Sequence, residues 1–240
     1  MNRSNTQATL TTAAFIAGSW LDRIDLPSLP ETSWQEFAST WDDMPVDAFM
    51  GDEGRYRQRR FSEFRVNVAT RSLERLPHVP YRQSKEDNYL NGGIDRHYEP
   101  MIELAVNNKV FRQTLLCCAA IVGESQKCKE YLVQVFQNRI LAGGSLEGRP
   151  TPEGIHRDGV HYVLSLLLSR VGVRGGCSQL FRSSGEHVED FEMSRRGDFI
   201  LLDDEATRHS VTPIHPEAQG GSGHRDVMIA MFTAWTPNLR

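Results

Sequence analysis

The chain has 240 residues, a charged fraction of 24% and a formal net charge of −4. A chain of this length buries most of its unfolded surface without disulfide or metal staples, and the near-neutral balance argues against a polyanionic partner such as nucleic acid. Hydrophobic residues make up 39% on a count that includes Tyr and omits Gly, an ordinary globular share that excludes general disorder.

The chain opens with MNRSNTQATLTTAAFIAGSW, whose apolar patch behind a single Arg is too short and too Thr-rich for a secretory signal. No apolar run reaches the roughly 20 residues that span a bilayer. Cys117, Cys118, Cys128 and Cys177 show no C-x-x-C spacing, and two of them are adjacent. That usage fits a reducing compartment, so a cytoplasmic location is expected. Ser33-x-x-Glu36 has the form of a capping box, with Trp34, Phe37 and Trp41 following at helical spacing. An aromatic stripe is therefore expected to dock a helix on the body of the protein. From Arg55 to Arg65, RYRQRRFSEFR carries five arginines, which invites a phosphate-binding reading. Interleaved with Tyr56, Phe61 and Phe64, and with no wider basic surface, the run reads better as a strand with one solvated face. Residues 84–100 form a loop with a turn signal at Asn91-Gly92-Gly93. In the next segment Val110, Phe111, Leu115, Cys118, Ala119 and Val122 share a helical face, with Gly123 as the expected stop. Residues 1–125 are thus expected to be mainly helical or irregular.

From residue 126 the pattern turns to strands. Tyr131 to Ile140 alternates so that Tyr131, Val133, Val135, Gln137 and Arg139 share a face that ends polar. Val160 to Leu168 is nearly continuously apolar. Cys177 to Arg182, Val188 to Met193, Phe199 to Leu202 and Asp226 to Trp235 are further strands, set apart by turns at Gly172, Gly175-Gly176, Gly185, Gly197 and residues 220–223. Short strands at this spacing predict an antiparallel double sheet or barrel of the jelly-roll kind. The expected fold class is α+β, with N-terminal helices packed on a β core. No repeat or long linker divides the chain, so residues 1–240 read as a single domain whose β core, residues 126–240, carries the site.

Chemistry concentrates in Pro152-Glu-Gly-Ile-His156-Arg-Asp158-Gly159. A His and an Asp two apart on extended backbone point the same way, so an imidazole nitrogen and a carboxylate oxygen can converge on one metal ion. Such a pair alone is equally a surface turn closed by Gly159. A second His from a later strand would complete a two-His, one-carboxylate face with open positions, and His187, His209, His215 and His224 are available. His209 follows the apolar strand Phe199 to Leu202 and is the best placed. His215 lies at a Gly- and Ser-rich loop, His187 at a turn, and His224 has opposite parity to Arg225. On the last strand Arg225 shares a face with Val227, Ile229 and Met231, which places a guanidinium among apolar side chains. A buried Arg requires an anion. Either the carboxylate of a small molecule, gripped by the planar fork, or an internal carboxylate such as Asp203 or Asp204 would serve.

His156-x-Asp158, His209 and Arg225 in this order resemble the Fe(II)- and 2-oxoglutarate-dependent dioxygenases with a double-stranded β-helix core. The nearer likeness is to the bacterial free amino acid hydroxylases, the group that includes L-isoleucine dioxygenase. It extends over Arg55 to Phe64, Asn91-Gly-Gly, Gln137-Asn-Arg139, PEGIHRDG, Val173-Arg-Gly-Gly176, Asp203 to Ile214 and His224-Arg-Asp-Val227, and so spans residues 41–235. The resemblance implies a jelly-roll, cupin-like core, Fe(II) held by His156, Asp158 and His209, and Arg225 on the distal carboxylate of 2-oxoglutarate. It assigns no catalytic residue beyond the metal ligands. The implied reaction consumes O2 and 2-oxoglutarate, releases succinate and CO2, and hydroxylates a small amino acid substrate, aliphatic by first expectation. Asp158 implies hydroxylation, since related halogenating enzymes lack that carboxylate.

A free amino acid needs an anion partner for its carboxylate and an acceptor for its ammonium. Arg139, Arg157 and Arg174 are candidates for the first role. Gln137 and Arg139, at the polar end of their strand face, are the more attractive pocket liners. Arg157, between two metal ligands, is expected to point away from the iron, and Tyr162 either faces the pocket or packs in the core. Two other readings share these residues: a hydroxylase of a peptide or protein side chain, and a β-barrel that binds a metal, zinc included, and a carboxylate without turnover.

Overall fold

The computed structural model describes residues 9–10, 12–23, 29–126, 128–144 and 146–236. In chain order the elements are β1 (Phe15–Ser19), α1 (Trp20–Arg23), α2 (Glu31–Ser39), β2 (Arg57–Asn67), β3 (Ser72–Arg75), α3 (Glu103–Asn107), α4 (Lys109–Gln126), β4 (Glu130–Gly143), β5 (Tyr162–Val171), β6 (Val173–Gly175), β7 (Cys177–Arg182), β8 (His187–Glu192), β9 (Asp198–Asp203), β10 (Thr207–Val211), β11 (Ile214–Pro216) and β12 (Ser222–Ala234). A seven-stranded sheet runs β1-β9-β5-β12-β4-β2-β3, and every pairing in it is antiparallel. Opposite it lie a three-stranded sheet, β10-β7-β8, and a two-stranded one, β11-β6. This is the jelly-roll architecture expected of the strand spacing. None of the described helices is long and apolar enough to cross a membrane.

One face of the large sheet is apolar and covered by helices. Phe64 and Val66 of β2, Tyr131, Val133 and Val135 of β4, Leu164 and Leu166 of β5, and Met228, Ala230 and Phe232 of β12 pack with Phe37, Phe111 and Leu115 from the helices. Trp41, just beyond α2, meets Phe37 edge to face at 5.1 Å and donates from its indole N–H to the carbonyl of Asn138. The aromatic stripe therefore docks as its spacing predicts. The opposite face presents the alternate residues, among them Phe61, Phe136, Val163, Leu167, Ile200, Val227 and Met231, to a second core between the sheets.

Two expectations need correction. Ser33 is not a cap: α2 begins at Glu31 behind Pro30 with no side-chain cap, and Glu36 instead accepts a hydrogen bond from the Asn108 amide at 2.8 Å. Gly123 does not stop α4, which runs on to Gln126; a Cβ there would lie 3.0 Å from the Cys128 carbonyl, so the glycine admits the returning chain. Residues 1–125, though chiefly helix, turn and irregular backbone, also supply β1, β2 and β3 of the large sheet.

The arginine-rich strand departs furthest from its reading. β2 lies between β4 and β3 and has no solvated face: Arg57 and Arg59 are buried on the side of the second core, while Arg60 donates to the carbonyls of Asp43 and Pro100. Sheet parity also relocates Gln137 and Arg139, which share the helix-covered face with Tyr131, Val133 and Val135. Gln137 donates to the Thr40 hydroxyl at 2.8 Å. Arg139 makes a forked pair with the buried Asp226, at 2.7 and 2.8 Å, and reaches Asp42 at 3.0 Å. Removing one partner of such a buried pair strands the other charge. Arg139→Met is expected to lower the unfolding free energy by about 3–5 kcal/mol, read by urea denaturation, while leaving the affinity for 2-oxoglutarate intact.

Candidate metal centre and cavity

His156 and His209 are brought together by the backbone. The N–H of each donates to the carbonyl of the other, both at 3.0 Å, in an isolated antiparallel bridge. Directly paired residues on antiparallel strands project side chains to one side, and the two rings lie 4.4 Å apart between centroids. Asp158 follows His156 by two residues and turns to the same point. Its carboxylate oxygens lie 3.9 Å from His156 Nε2 and 3.6 Å from His209 Nε2. One ligand atom from each of the three lies within 4.8 Å of the others.

The remaining polar atoms fix these donors. His156 Nδ1 donates to the Gly154 carbonyl at 3.0 Å, which leaves Nε2 with its lone pair toward the cluster. Asp204, fully buried on the turn after β9, accepts from the backbone N–H groups of Asp158, Gly159 and Val160 at 3.1, 2.8 and 3.1 Å. It clamps the loop that carries Asp158. Gln83 donates to the Asp158 carbonyl at 3.1 Å. Burial is the largest influence on Asp158 and raises its pKa, with Glu153 adding to the rise against the opposing pull of His156. Burial opposes the charged form of His156, but Asp158 and Glu153 outweigh it and raise that pKa. His209, buried beside His156, is pushed down to about 3 and stays a neutral donor. Two imidazole Nε2 atoms and a carboxylate converging on one point suit a divalent cation such as Fe(II).

The cluster opens into a cavity between the sheets, with about 890 Å³ of space free of protein atoms including its mouth. Loop residues 81–96 lie over it, pinned by reciprocal Tyr81 and Arg96 backbone hydrogen bonds at 3.0 and 2.9 Å. The Asn91-Gly-Gly turn predicted there is present, with Gly92 so close to the Ser84 carbonyl that a Cβ would lie 2.2 Å from it.

Arg225 lies across the cavity from the ligand cluster, 3% exposed, with Val227, Ile229 and Met231 on the same face as its parity requires. Neither Asp203 nor Asp204 pairs with it: Asp203 accepts from the N–H groups of Glu205 and Ala206, and Asp204 holds the Asp158 loop. Its Nε and Nη2 are buried without a hydrogen-bond partner. Burial, then the nearby Arg170, lowers its pKa to about 10. A Cβ on Gly176 would come within 3.2 Å of the Arg225 side chain, so the glycine makes room for this guanidinium. An uncompensated fork facing a cavity with a metal-ligand cluster suits the carboxylate of a small molecule.

Of the other residues read from the sequence, Gln137 and Arg139 lie on the far side of the sheet. Tyr162 packs in the helix-side core, and Arg157 points outward with Nε 3.9 Å from Asp204. None of the four lines the cavity. His215 is half-exposed on β11 near Glu147, and His187 is exposed beside Asp190. His224 turns from the cavity toward Asp226, at 3.4 Å. The charged residues that line it besides Arg225 and the ligand cluster are Arg57, Arg59, Arg96 and Glu153, with Asn138 among the neutral polar ones. Arg57 and Arg59 were legible in principle, since both share parity with the apolar Phe61.

A family model described as 2OG-Fe dioxygenase matches residues 38–231. The chain is 20% identical over 209 residues to the bifunctional enzyme flvA of Aspergillus flavus, covering 77% of this chain and 25% of that one. It thus spans about a quarter of the length of the curated relative it matches. Among solved structures, a bsmA homolog (Mpe_A2762) from Methylobium petroleophilum PM1 superposes with a TM-score of 0.89 at 26% identity, over 98% of this chain and 94% of the other. The Fe(II)/α-ketoglutarate-dependent dioxygenase TqaL gives 0.78 at 15% identity, over 98% and 88%.

Asp204 positions the Asp158 loop without joining the ligand cluster. Replacing it by Ala is expected to weaken Mn(II) binding about 10- to 100-fold, the range for lost supporting hydrogen bonds at metal sites. Calorimetry reads the affinity, and a variant that binds Mn(II) like the parent would remove Asp204 from this role.

Proposed function

Because the chain belongs to the 2OG-Fe dioxygenase family, whose members work with Fe(II), 2-oxoglutarate and O2, we propose that it hydroxylates a free L-amino acid, with an aliphatic one the first candidate. The single observation that carries the cosubstrate assignment is the buried, unpartnered Arg225 guanidinium in the cavity that also holds His156, Asp158 and His209. His156, Asp158 and His209 hold the metal. Arg225 grips the distal carboxylate of 2-oxoglutarate, with Gly176 leaving room for its side chain. Bound iron, with 2-oxoglutarate and O2, supplies an oxidative decarboxylation to succinate and CO2 and the oxygen atom that enters the substrate.

The protein's own contribution is geometry and exclusion of water. Phe136, Val163, Val227, Ile229 and Met231 make the apolar wall, and the loop at residues 81–96 covers the site. A covered cavity favours a small substrate over a chain lying in an open groove. Asp158 supports hydroxylation as the outcome, because its carboxylate fills the position a halide would otherwise take.

Incubating the protein with Fe(II), ascorbate, 2-oxoglutarate and each proteinogenic L-amino acid in air is expected to give substrate-stimulated succinate, with a mass gain of one oxygen on one amino acid or a few. Succinate release unaffected by any of them would count against a free amino acid substrate. Arg225→Lys retains charge and loses the fork. Its half-saturating 2-oxoglutarate concentration is expected to rise about 10- to 100-fold, as befits loss of a charge-assisted hydrogen bond; an unchanged value would make Arg225 purely structural.

A further inference from the structure

Once Arg225 is assigned to the cosubstrate and Asp158 to the metal, the cavity still holds charges that neither uses. Arg57, Arg59 and Arg96 line it, and all three are buried. One carboxylate stands behind them: Asp47, fully buried, is 2.7 Å from Arg57 Nε and 3.9 Å from Arg59 Nε. Arg59 is otherwise engaged. Its Nε donates to Asn138 at 2.6 Å, and its guanidinium lies over Phe136 at 4.7 Å. Arg57 gives its Nε to Asp47 and keeps its Nη2 buried without a partner, as Arg96 keeps its Nε. Arg96 sits 4.6 Å above the Tyr81 ring, which offsets part of its charge.

Glu153 is the opposite case. Its side chain is 10% exposed, its Oε1 lies 3.5 Å from His156 Nε2, and its Oε2 is buried with no hydrogen bond. It stands outside the metal-ligand cluster, which contains only His156, Asp158 and His209. It lines the same cavity as Arg57 and Arg59, yet neither forms an ion pair with it. An unsatisfied donor and an unsatisfied acceptor thus face one cavity without pairing with each other. Each is costly to bury alone, and a ligand carrying both charges would satisfy them together.

We infer that Arg57 and Glu153 form a zwitterion clamp beside the metal centre, with Arg57 Nη2 donating to the substrate α-carboxylate and Glu153 accepting from its α-ammonium. This rests on the free amino acid reading above and names the residues that would enforce it. Both charges of the substrate are read, so an amino acid is preferred over the 2-hydroxy acid of the same skeleton, which lacks the ammonium, and over its carboxamide, which lacks the carboxylate. Glu153 next to His156 holds the α-carbon side of the substrate near the metal centre, so its side chain is left to contact the apolar wall of Val163, Ile229 and Met231.

The test uses full-length protein loaded with Mn(II) and 2-oxoglutarate under nitrogen, so that binding is read without turnover. Calorimetric titrations with each proteinogenic L-amino acid identify those that bind, and for these the 2-hydroxy acid and carboxamide analogues are measured, by competition where weak. Glu153→Gln is expected to cut the preference for amino acid over 2-hydroxy acid by about 10- to 100-fold, and Arg57→Lys, which keeps a cation beside Asp47, to cut the preference for amino acid over carboxamide by a similar factor. Affinities for Mn(II) and 2-oxoglutarate remain at parental values in both variants, and melting curves establish that each is folded. Unchanged preferences in folded variants, or equal losses for amino acid and analogue, would overturn the clamp while leaving the amino acid reading standing. A parent protein that binds no amino acid of the panel overturns that reading, and the clamp with it.

Discussion

The reciprocal hydrogen bonds between His156 and His209 are the constraint on which the site depends. The two residues are 53 positions apart in sequence, and side-chain packing alone would hold their imidazoles only loosely. Two backbone hydrogen bonds at 3.0 Å fix the register instead. The Asp158 side chain then arrives by alternation from His156, provided the loop beyond it is held. Asp204 supplies that hold through three backbone N–H groups. A carboxylate buried in this way is stabilised by the donors it accepts from, so the same group that orders the loop is satisfied by it.

The large sheet extends that constraint across the molecule. Side-chain alternation divides each central strand into a helix-facing set and a cavity-facing set, and a shift of register by one residue would exchange them. On β12 the first set carries Asp226, Met228, Ala230 and Phe232, and the second carries Arg225, Val227, Ile229 and Met231. The charged residues follow the same division. Asp226 is neutralised on the helix side by Arg139, whereas Arg225 on the cavity side has no protein partner. Adjacent residues of opposite charge therefore do different work: one pair closes the core, and the other leaves a cation waiting for a ligand.

That division also explains which parts of the site were legible in the sequence. His156, Asp158, His209 and Arg225 stood out because short-range rules apply to them: a two-residue spacing, a His at the end of an apolar strand, and an Arg in phase with three apolar residues. The same parity rule would have removed Gln137 and Arg139 from the cavity, had the apolar Tyr131, Val133 and Val135 been assigned to the helix-covered face. Two apolar faces look alike in one dimension, and only the helices packed on one of them decide between the two. β2 failed for the related reason that both its faces are buried, so five arginines read as solvated where Arg57 and Arg59 are internal. Asp204 and Glu153 gave no local signal, because their roles come from loops that meet only in the folded chain. The jelly roll itself was predictable from strand spacing, but its N-terminal strands were not, since β1 lies in a Thr-rich segment and pairs with β9 nearly two hundred residues later.

A cavity lined by buried guanidinium groups is expensive to maintain without ligands, because each desolvated charge needs an anion or aromatic face nearby. The protein offsets part of this internally, with Asp47 against Arg57 and Arg59 and with Tyr81 and Phe136 beneath Arg96 and Arg59. Those compensations stop short of Arg225 Nε and Nη2, Arg57 Nη2, Arg96 Nε and Glu153 Oε2. If the cavity were only a packing defect, apolar residues would line it at lower cost; if it were a site for one dianion, Glu153 would oppose binding. Unsatisfied groups of both signs, beside a two-histidine, one-carboxylate cluster, suit two ligands of different charge. The proposed dianion on Arg225 and zwitterion between Arg57 and Glu153 would meet the unsatisfied groups of those three residues, so the small net charge of the chain conceals strong local fields confined to one cavity.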